Sequence, residues 1–424
     1  MIQHATFDHQ MNPTPLPCAD DLPEMLDFLK CMVSVNSFTA NTEGVNAVAD
    51  LVTSQFAPLG FVGTRVPTTN QGFGDHLFLS TKRRAGLPTI ALISHLDTVY
   101  SAEEELLNDF AWRVEGNRIY GPRTNDIKGG TAMAWMMLHA MHREWPTVCS
   151  SANWVVALNA CEEVDSEDFG AACQRQFPKE QTACLLFEAD GGTSDAFRVV
   201  RQRKGRGTFR IQTIGRGAHA GAQHARGANA VVELARIVGK LHGLTDYDAG
   251  LTVNIGSIRG GTVENRVPHE ATASLEMRAW SLSAYQAAES AILATCGQGK
   301  IRSADGYPCS SRVETIHATA PWPDNAQTQK LVEIWESAGA ALSIAVESEA
   351  RGGLSDGNVL WPHFPTIDGL GPCGDFSHCS ERSADGAKEQ EWVDVDSFVR
   401  KSQLNAAAIA TLIREPNRWG CHPK

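Results

Sequence analysis

Three features of the sequence predict an α/β protein whose mainly parallel sheet carries helices on both faces and is interrupted by an inserted α+β unit. Short, continuous apolar runs alternate with helical periodicity up to about Lys204, half-polar alternating strands follow, and the first texture returns after His317. Two-sided apolar strands separated by helices suit a parallel sheet covered on both faces, whereas apolar/polar alternation marks a sheet with one wet face. At 424 residues the chain exceeds one ordinary core, which fits a discontinuous domain with an insertion.

The elements follow in order. Leu22 to Val33 and Gly44 to Leu59 place apolar residues at helical spacing. Thr89-Ile-Ala-Leu-Ile-Ser and Trp154-Val-Val-Ala-Leu-Asn-Ala read as buried strands, with Gly129 to His142 as a buried helix between them, and Cys184 to Glu188 reads as a further strand. Gly207 to Gly215, Leu251 to Ile258 and Ala271 to Met277 alternate like half-solvated strands around an amphipathic helix at Ala228 to His242. The expected boundaries are 1–204 with 314–424 for the first domain and 205–313 for the insertion. Ser380 to Gln390, rich in charge, is expected as an exposed loop.

Composition excludes several classes. Lys plus Arg number 37 against 49 Asp plus Glu, a net charge of −12, the wrong sign for a dedicated nucleic-acid or anionic-membrane binder. The most apolar helical stretch, Ala132 to Met141, is far short of the roughly 20 residues that span a bilayer. Met1 to Pro17 has neither the basic start nor the apolar run of an export signal. The 11 cysteines are odd in number and form no Cys-x-x-Cys pair, so reduced thiols in a cytoplasm are expected.

In open parallel sheets chemistry gathers at the carboxyl edge, and each candidate strand here ends in metal-binding residue types. The first runs into His95-Leu-Asp97, where two-residue spacing sets both side chains on one side of an extended chain. A metal-bound imidazole usually donates its other N–H to a carboxylate or carbonyl, so Asp97 can orient His95 without ligating. The second ends in Cys161-Glu162-Glu163, either a solvated acidic turn or a division of labour, one carboxylate holding metal and its neighbour taking a proton from water. The third ends at Glu188, whose burial calls for a positive partner. Gly121-Pro-Arg-Thr-Asn-Asp126-Ile-Lys-Gly-Gly lacks P-loop spacing and sets Asp126 just before a helix start. A Gly-rich loop from Gly369 delivers His378. Singly, each piece has an ordinary structural reading.

Their order resembles the co-catalytic zinc peptidases and aminoacylases of the M20 type, especially the glutamate carboxypeptidase branch. The match runs through His95-Leu-Asp97-Thr-Val, Asp126-Ile-Lys-Gly-Gly, Glu162-Glu163, Phe187-Glu188, Gly217-Ala-His219-Ala-Gly221, Gly352-Gly353-Leu-Ser-Asp356 and the Gly-Leu-Gly-Pro loop ending in His378. The resemblance implies a zinc-exopeptidase-like catalytic domain, with the insertion serving as lid and dimerisation domain. It implies two zinc ions per chain, with cobalt or manganese as substitutes: Asp126 bridges them, His95 and Glu188 complete one site, and Glu163 and His378 complete the other. Glu162 is then the general base, Asp97 the residue orienting His95, and His219 an oxyanion donor supplied across a homodimer. Asn265 and Arg278 grip the substrate α-carboxylate, Gly353 gives the substrate backbone room, and the Asp126–Ile127 peptide is cis. Arg198 falls where glutamate-releasing relatives place a basic residue; with Arg201, Arg203, Lys204 and Arg206 it is otherwise a solvated hinge.

Two departures stand out. Asp165 replaces the glycine usual after the paired glutamates, and the family's Glu-aromatic-Val-Asp segment is matched by Glu391-Trp-Val-Asp well beyond His378, past an insertion at Ser380 to Gln390 that leaves His363 open as an alternative ligand. The implied activity is hydrolysis of an amide or peptide bond next to a free α-carboxylate, by a carboxypeptidase or N-acyl-amino-acid amidohydrolase acting on a small peptide or N-acyl amino acid. The alternatives are a di- or tripeptidase using the same metals and a non-catalytic binding protein on the same fold; the presence of Glu162 with all five ligand candidates disfavours the latter.

Overall fold

The computed structural model describes residues 15–179, 181–193 and 195–420, so most of the segment read for an export signal lies outside the described residues. The chain divides into two compact units, one of residues 1–201, 324–350 and 355–424 and one of 202–323 and 351–354. The second unit runs past the expected end at 313, because strand Pro308–Thr319 goes on pairing with Gly205–Ile214 as far as Thr319 opposite Arg206.

In the first unit, β1 (Val62–Pro67), β2 (Asp75–Ser80), β3 (Thr89–His95), β4 (Asn153–Asn159), β5 (Thr182–Leu186) and β6 (Thr366–Ile367) form one sheet in the order β1-β2-β4-β3-β5-β6. Strands β4, β3, β5 and β6 are parallel. At the other edge β1 and β2 are antiparallel to their neighbours, so the sheet is mixed. A hairpin with so short a connection has no other option, since parallel neighbours need a crossover of roughly a dozen residues or more.

Strand β3 is buried at every position, and its two-residue period sends side chains into two cores. Ile90 and Leu92 pack with residues of α1 (Leu22–Val33), α2 (Thr42–Phe56) and α3 (Gly129–Glu144), while Ala91 and Ile93 pack with Phe169 of α4 (Glu167–Gln176) and with Phe364. Helices α5 (Ala326–Leu342) and α6 (Val395–Arg414) complete the first of these cores. Each fully buried Leu, Ile or Phe contributes roughly 1.5–3 kcal/mol, so covering both faces is what holds the carboxyl edge in place. Helix α3 is buried nearly all round and begins hard against the end of β5. A Cβ at Gly130 would stand 2.0 Å from the Phe187 carbonyl oxygen, so only glycine permits that approach.

The second unit is an antiparallel five-stranded sheet in the order Thr252–Gly260, Glu270–Ala279, Gly205–Ile214, Pro308–Thr319, Gly297–Arg302. Burial alternates along Glu270–Ala279, and Leu234, Ile237 and Leu241 of helix Ala230–His242 and Tyr285 and Ile292 of helix Leu282–Leu293 cover the apolar face. Asn229 and Ser281 cap these helices by accepting from the backbone N–H of Val232 and Ala284. The ten described cysteines are free thiols, and no described helix is long and apolar enough to cross a membrane.

Candidate metal centre

The parallel register sets His95 opposite Asn159, so the segments that leave β3, β4 and β5 emerge at one edge with His95, Glu162-Glu163 and Glu188. His95 is buried; its Nδ1 lies 3.1 Å from the Asp97 carbonyl oxygen and 3.3 Å from Asp97 Oδ1. Its Nε2 turns to Asp126 Oδ1 at 3.2 Å, with Glu188 Oε1 3.9 Å away. Asp97 does more than orient His95. Its Oδ1 accepts the backbone N–H of Glu162 (3.0 Å), and its Oδ2 accepts the Thr39 hydroxyl (2.7 Å) and the backbone N–H of Glu163 (3.3 Å), so one carboxylate sets both segments.

Asp126 sits in an irregular turn before α3, and the Asp126–Ile127 peptide is cis. The turn is fixed by Glu391, a fully buried residue whose Oε1 accepts the backbone N–H of Asn125 (2.9 Å) and Asp126 (3.0 Å) while Oε2 accepts the Tyr100 hydroxyl (2.8 Å). Glu391 leads into strand Trp392–Asp394, which pairs with Arg118–Tyr120 on one side and Gly374–Asp375 on the other. The loop between, largely exposed from Glu381 to Glu389 with Ser380 and Gln390 buried at its ends, therefore hangs from a small sheet beside the candidate ligands. His378 Nε2 lies 3.2 Å from Asp126 Oδ2 and 3.4 Å from Glu163 Oε2. His363, the alternative, is exposed beside Phe364.

The other candidates make different contacts. In the second unit, His219 and Asn265 line one cleft of about 650 Å³ with Arg216 and Arg266. His219 is exposed, and its Nδ1 accepts the backbone N–H of Gly221 and Ala222, both at 3.1 Å, so the proton is on Nε2. Arg278 donates to Glu276 (2.7 Å) and to the Gly352 carbonyl (2.8 Å), and the Gly353 carbonyl accepts from Arg203 (3.2 Å). In the first unit, Arg198 is half exposed, facing Glu347 and Glu349 at 3.7 and 3.5 Å.

Comparison with known proteins gives the frame for this geometry. Residues 201–302 match the peptidase dimerisation domain of the M20 family. The chain is 26% identical over 401 residues to carboxypeptidase G2 of Pseudomonas sp. (strain RS-16), covering 93% of this chain and 90% of the relative. The chain is a homologue of the M20 metallopeptidases and amidohydrolases. Solved structures share the fold: a tripeptidase of Staphylococcus aureus subsp. aureus Mu50 at TM-score 0.71 and 18% identity, over 93% of this chain and 99% of that one, and a Bacillus subtilis protein described as a dinuclear metal-binding peptidase of the M20 family at TM-score 0.64 and 13% identity, over 93% and 98%.

The electrostatics of this M20 homologue suit a cation at the cluster. Ligand atoms of His95, Asp126 and Glu163 all lie within 4.8 Å of one another, an oxygen and nitrogen donor set of the kind that binds zinc and related divalent ions. Burial pushes the Glu162 carboxyl above the usual range against the pull of His95, with Asp126 and Asp97 adding to the rise, which suits a base poised to take a proton. Burial and the Asp126 charge push Glu188 well up. Burial alone would raise Asp126 too, but the Arg123 guanidinium, His378 and His95 hold it well below the ordinary value.

A second cluster, His76, Cys161 and Asp168, brings metal-binding types together for a different reason. His76 Nδ1 accepts the Ala160 backbone N–H (3.1 Å) and Nε2 faces Asp168 Oδ1 (3.2 Å), while burial pushes the Cys161 thiol far up. With the thiol protonated and one ring nitrogen committed, these residues clasp the segment that carries Glu162. Sequence reasoning missed His76, the anchoring role of Glu391, and Arg123. Position 391 carried a signal, since Glu391-Trp-Val-Asp is a family segment; Arg123 and His76 carried none.

Proposed function

We propose that the protein is a metal-dependent hydrolase that cleaves an amide or peptide bond next to a free α-carboxylate, as a carboxypeptidase or N-acyl-amino-acid amidohydrolase. The observation that carries this reading is the Asp126 carboxylate, with Oδ1 turned to His95 and Oδ2 to His378, at the sheet edge where Glu188 and Glu163 also emerge. His95, Asp126, Glu163, Glu188 and His378 are the residues that would hold divalent metal, zinc by donor type, with cobalt or manganese as substitutes. Bound there, such an ion supplies Lewis acidity and brings the pKa of water toward 7. Glu162 takes the proton of the attacking water and returns it to the leaving amine. Asp97 keeps the His95 ring and the Glu162 backbone in register with each other. His219, protonated on Nε2, donates to the developing oxyanion, supplied across a homodimer by the dimerisation domain. Arg278 exchanges Glu276 for the substrate α-carboxylate, beside Asn265 and with room left by Gly353, and the guanidinium fork fits that group bidentately.

The leaving amino acid depends on Arg198. Its contacts to Glu347 and Glu349 are long and partly solvated, and surface pairs of that kind contribute about 0–1 kcal/mol, so a second substrate carboxylate can compete for the guanidinium. Glutamate or aspartate is then the favoured product. The test is a hydrolysis screen of N-acyl amino acids, folate-like conjugates and dipeptides with zinc supplied. Cleavage of N-acyl amino acids is expected; cleavage confined to substrates with a free amine would transfer the protein to the di- and tripeptidases, and no cleavage of any class by metal-loaded, folded protein would remove the hydrolase reading.

A further inference from the structure

The five candidate ligands do not surround Asp126 evenly. Oδ1 faces His95, whose Nε2 also lies 3.9 Å from Glu188 Oε1, and Oδ2 faces His378, whose Nε2 also lies 3.4 Å from Glu163 Oε2. On the Oδ2 side lies a residue that no ligand pattern contains. Arg123 has no exposed side-chain surface; its Nη1 is 3.1 Å from Asp126 Oδ2 and its Nη2 is in contact with Glu163 Oε1. The Tyr100 ring lies 5.7 Å from the guanidinium carbon, closing another side. A guanidinium has donors only and stays charged in proteins, so it cannot join a metal as a ligand and instead competes with one for the same carboxylate oxygens. The backbone is also unusual here: Arg123 has φ 66°, in the left-handed region where glycine is at ease and a long side chain is not.

We propose that Arg123 is a built-in cation occupying the Oδ2 half of the centre, so that the chain binds one divalent ion tightly, through His95, Asp126 and Glu188, rather than the two implied by the resemblance. This rests on the metal-dependent reading above and narrows it. Glu163 becomes the partner of a permanent monocation, and His378 is left facing the Asp126–Glu163 pair from the more open side, with half its side chain exposed. A unit positive charge about 4 Å from a dication in a protein environment weakens binding of that dication by roughly 10³-fold or more.

The experiment measures metal stoichiometry and affinity by equilibrium dialysis with elemental analysis, using zinc and cobalt, on full-length wild type, Arg123→Gly and Arg123→Lys, with the cobalt absorption spectrum reporting each added equivalent. Glycine accepts the positive φ, and lysine keeps the charge if removing it impairs folding. One tight equivalent in wild type and in Arg123→Lys, with a second appearing in Arg123→Gly, supports the proposal. Two equivalents of comparable affinity in wild type overturn it and leave the hydrolase reading standing. One equivalent in both wild type and Arg123→Gly also overturns it, because something other than Arg123 then limits the count. No binding by any of the three proteins would remove the metal reading along with the proposal.

Discussion

In the first unit, buried carboxylates accept backbone N–H groups from the segments that carry Asp126, Glu162 and Glu163, while in the second the candidate substrate contacts are exposed or held by one or two hydrogen bonds. Asp97 accepts from Thr39, Glu162 and Glu163, and Glu391 accepts from Asn125, Asp126 and Tyr100. His219 and Asn265, by contrast, stand exposed, and Arg278 is half-buried with one carboxylate and one carbonyl for company. The difference follows from what each set must hold. Carboxylates gathered for a metal repel one another and need a surrounding shell to keep them together. Groups that meet a transient substrate must be able to change partners.

That contrast is sharpest at Glu162. Glu162→Gln is expected to keep its metal, since the amide preserves the backbone hydrogen bond to Asp97, and to lose roughly 10²–10⁴-fold in kcat, because it cannot take a proton. Elemental analysis and kcat on one sample check this; a near-wild-type rate would show that another carboxylate is the base. At the exposed end, His219→Ala is expected to lower kcat by roughly 10²–10³-fold with metal content unchanged, the range for removing one oxyanion donor. Mixing subunit-exchanged Glu162→Gln and His219→Ala proteins should restore activity, because a heterodimer then carries one complete centre. Mixtures that stay inactive while both proteins are folded and dimeric would place His219 outside a shared site.

The first region was legible where chemistry and element coincide. Candidate ligands near the ends of buried strands declare themselves, since β3 is apolar from Ile90 to Ile93 shortly before His95 and the run from Ala183 to Phe187 leads directly to Glu188, and a buried strand that runs into such a group needs a reason. The mixed edge was harder to read, because β1 alternates between exposed and half-buried positions and offers no apolar run. Arg123 was illegible for a physical reason: an arginine among glycine, proline and asparagine reads as a solvated turn, and only the fold shows that it is enclosed. Glu391 was visible as part of a motif, but its contacts to Asn125 and Asp126 join segments far apart in sequence, which no local pattern carries. In the second region, alternation revealed the strands, while the side chains that matter are exposed ones, and exposure leaves no periodic trace.

Arg278 tests whether loosely held groups are chosen for exchange. Arg278→Lys keeps the charge and loses the planar fork, so KM for carboxylate-bearing substrates should rise about 10–100-fold, corresponding to roughly 1.5–3 kcal/mol for a charged hydrogen-bond pair, with kcat much less affected. Steady-state kinetics with an N-acyl amino acid and its α-amide separate the two groups: the amide should be a poor substrate for both proteins, and little changed by the mutation. An equal loss on both would mean that Arg278 supports the strand through Glu276 and does not meet the carboxylate.

The smallest expected effect returns to the firmly held region and asks how much its outer shell contributes. Asp168 faces His76 and accepts from the Thr69 backbone N–H (2.8 Å). Burial acts to raise its pKa, but the contacts to His76 and Thr69 win and hold it at about 2. Its folded pKa is therefore depressed, so its contribution to stability is fully present above the unfolded value of about 3.9 and is lost as pH falls from there through about 2. The shift corresponds to about 2.6 kcal/mol at most, and with the carboxylate partly solvated about 1 kcal/mol is the expected share. Asp168→Asn should lower the stability of the first unit by that amount at pH 7, measured by urea unfolding, and the gap between variant and wild type should narrow between pH 4 and 2. Comparing the two proteins at each pH cancels the protonation of every other carboxylate, including any loss of metal. A gap that stays constant down to the lowest accessible pH would mean that the His76–Asp168 contact holds the Glu162 segment through packing and not through charge.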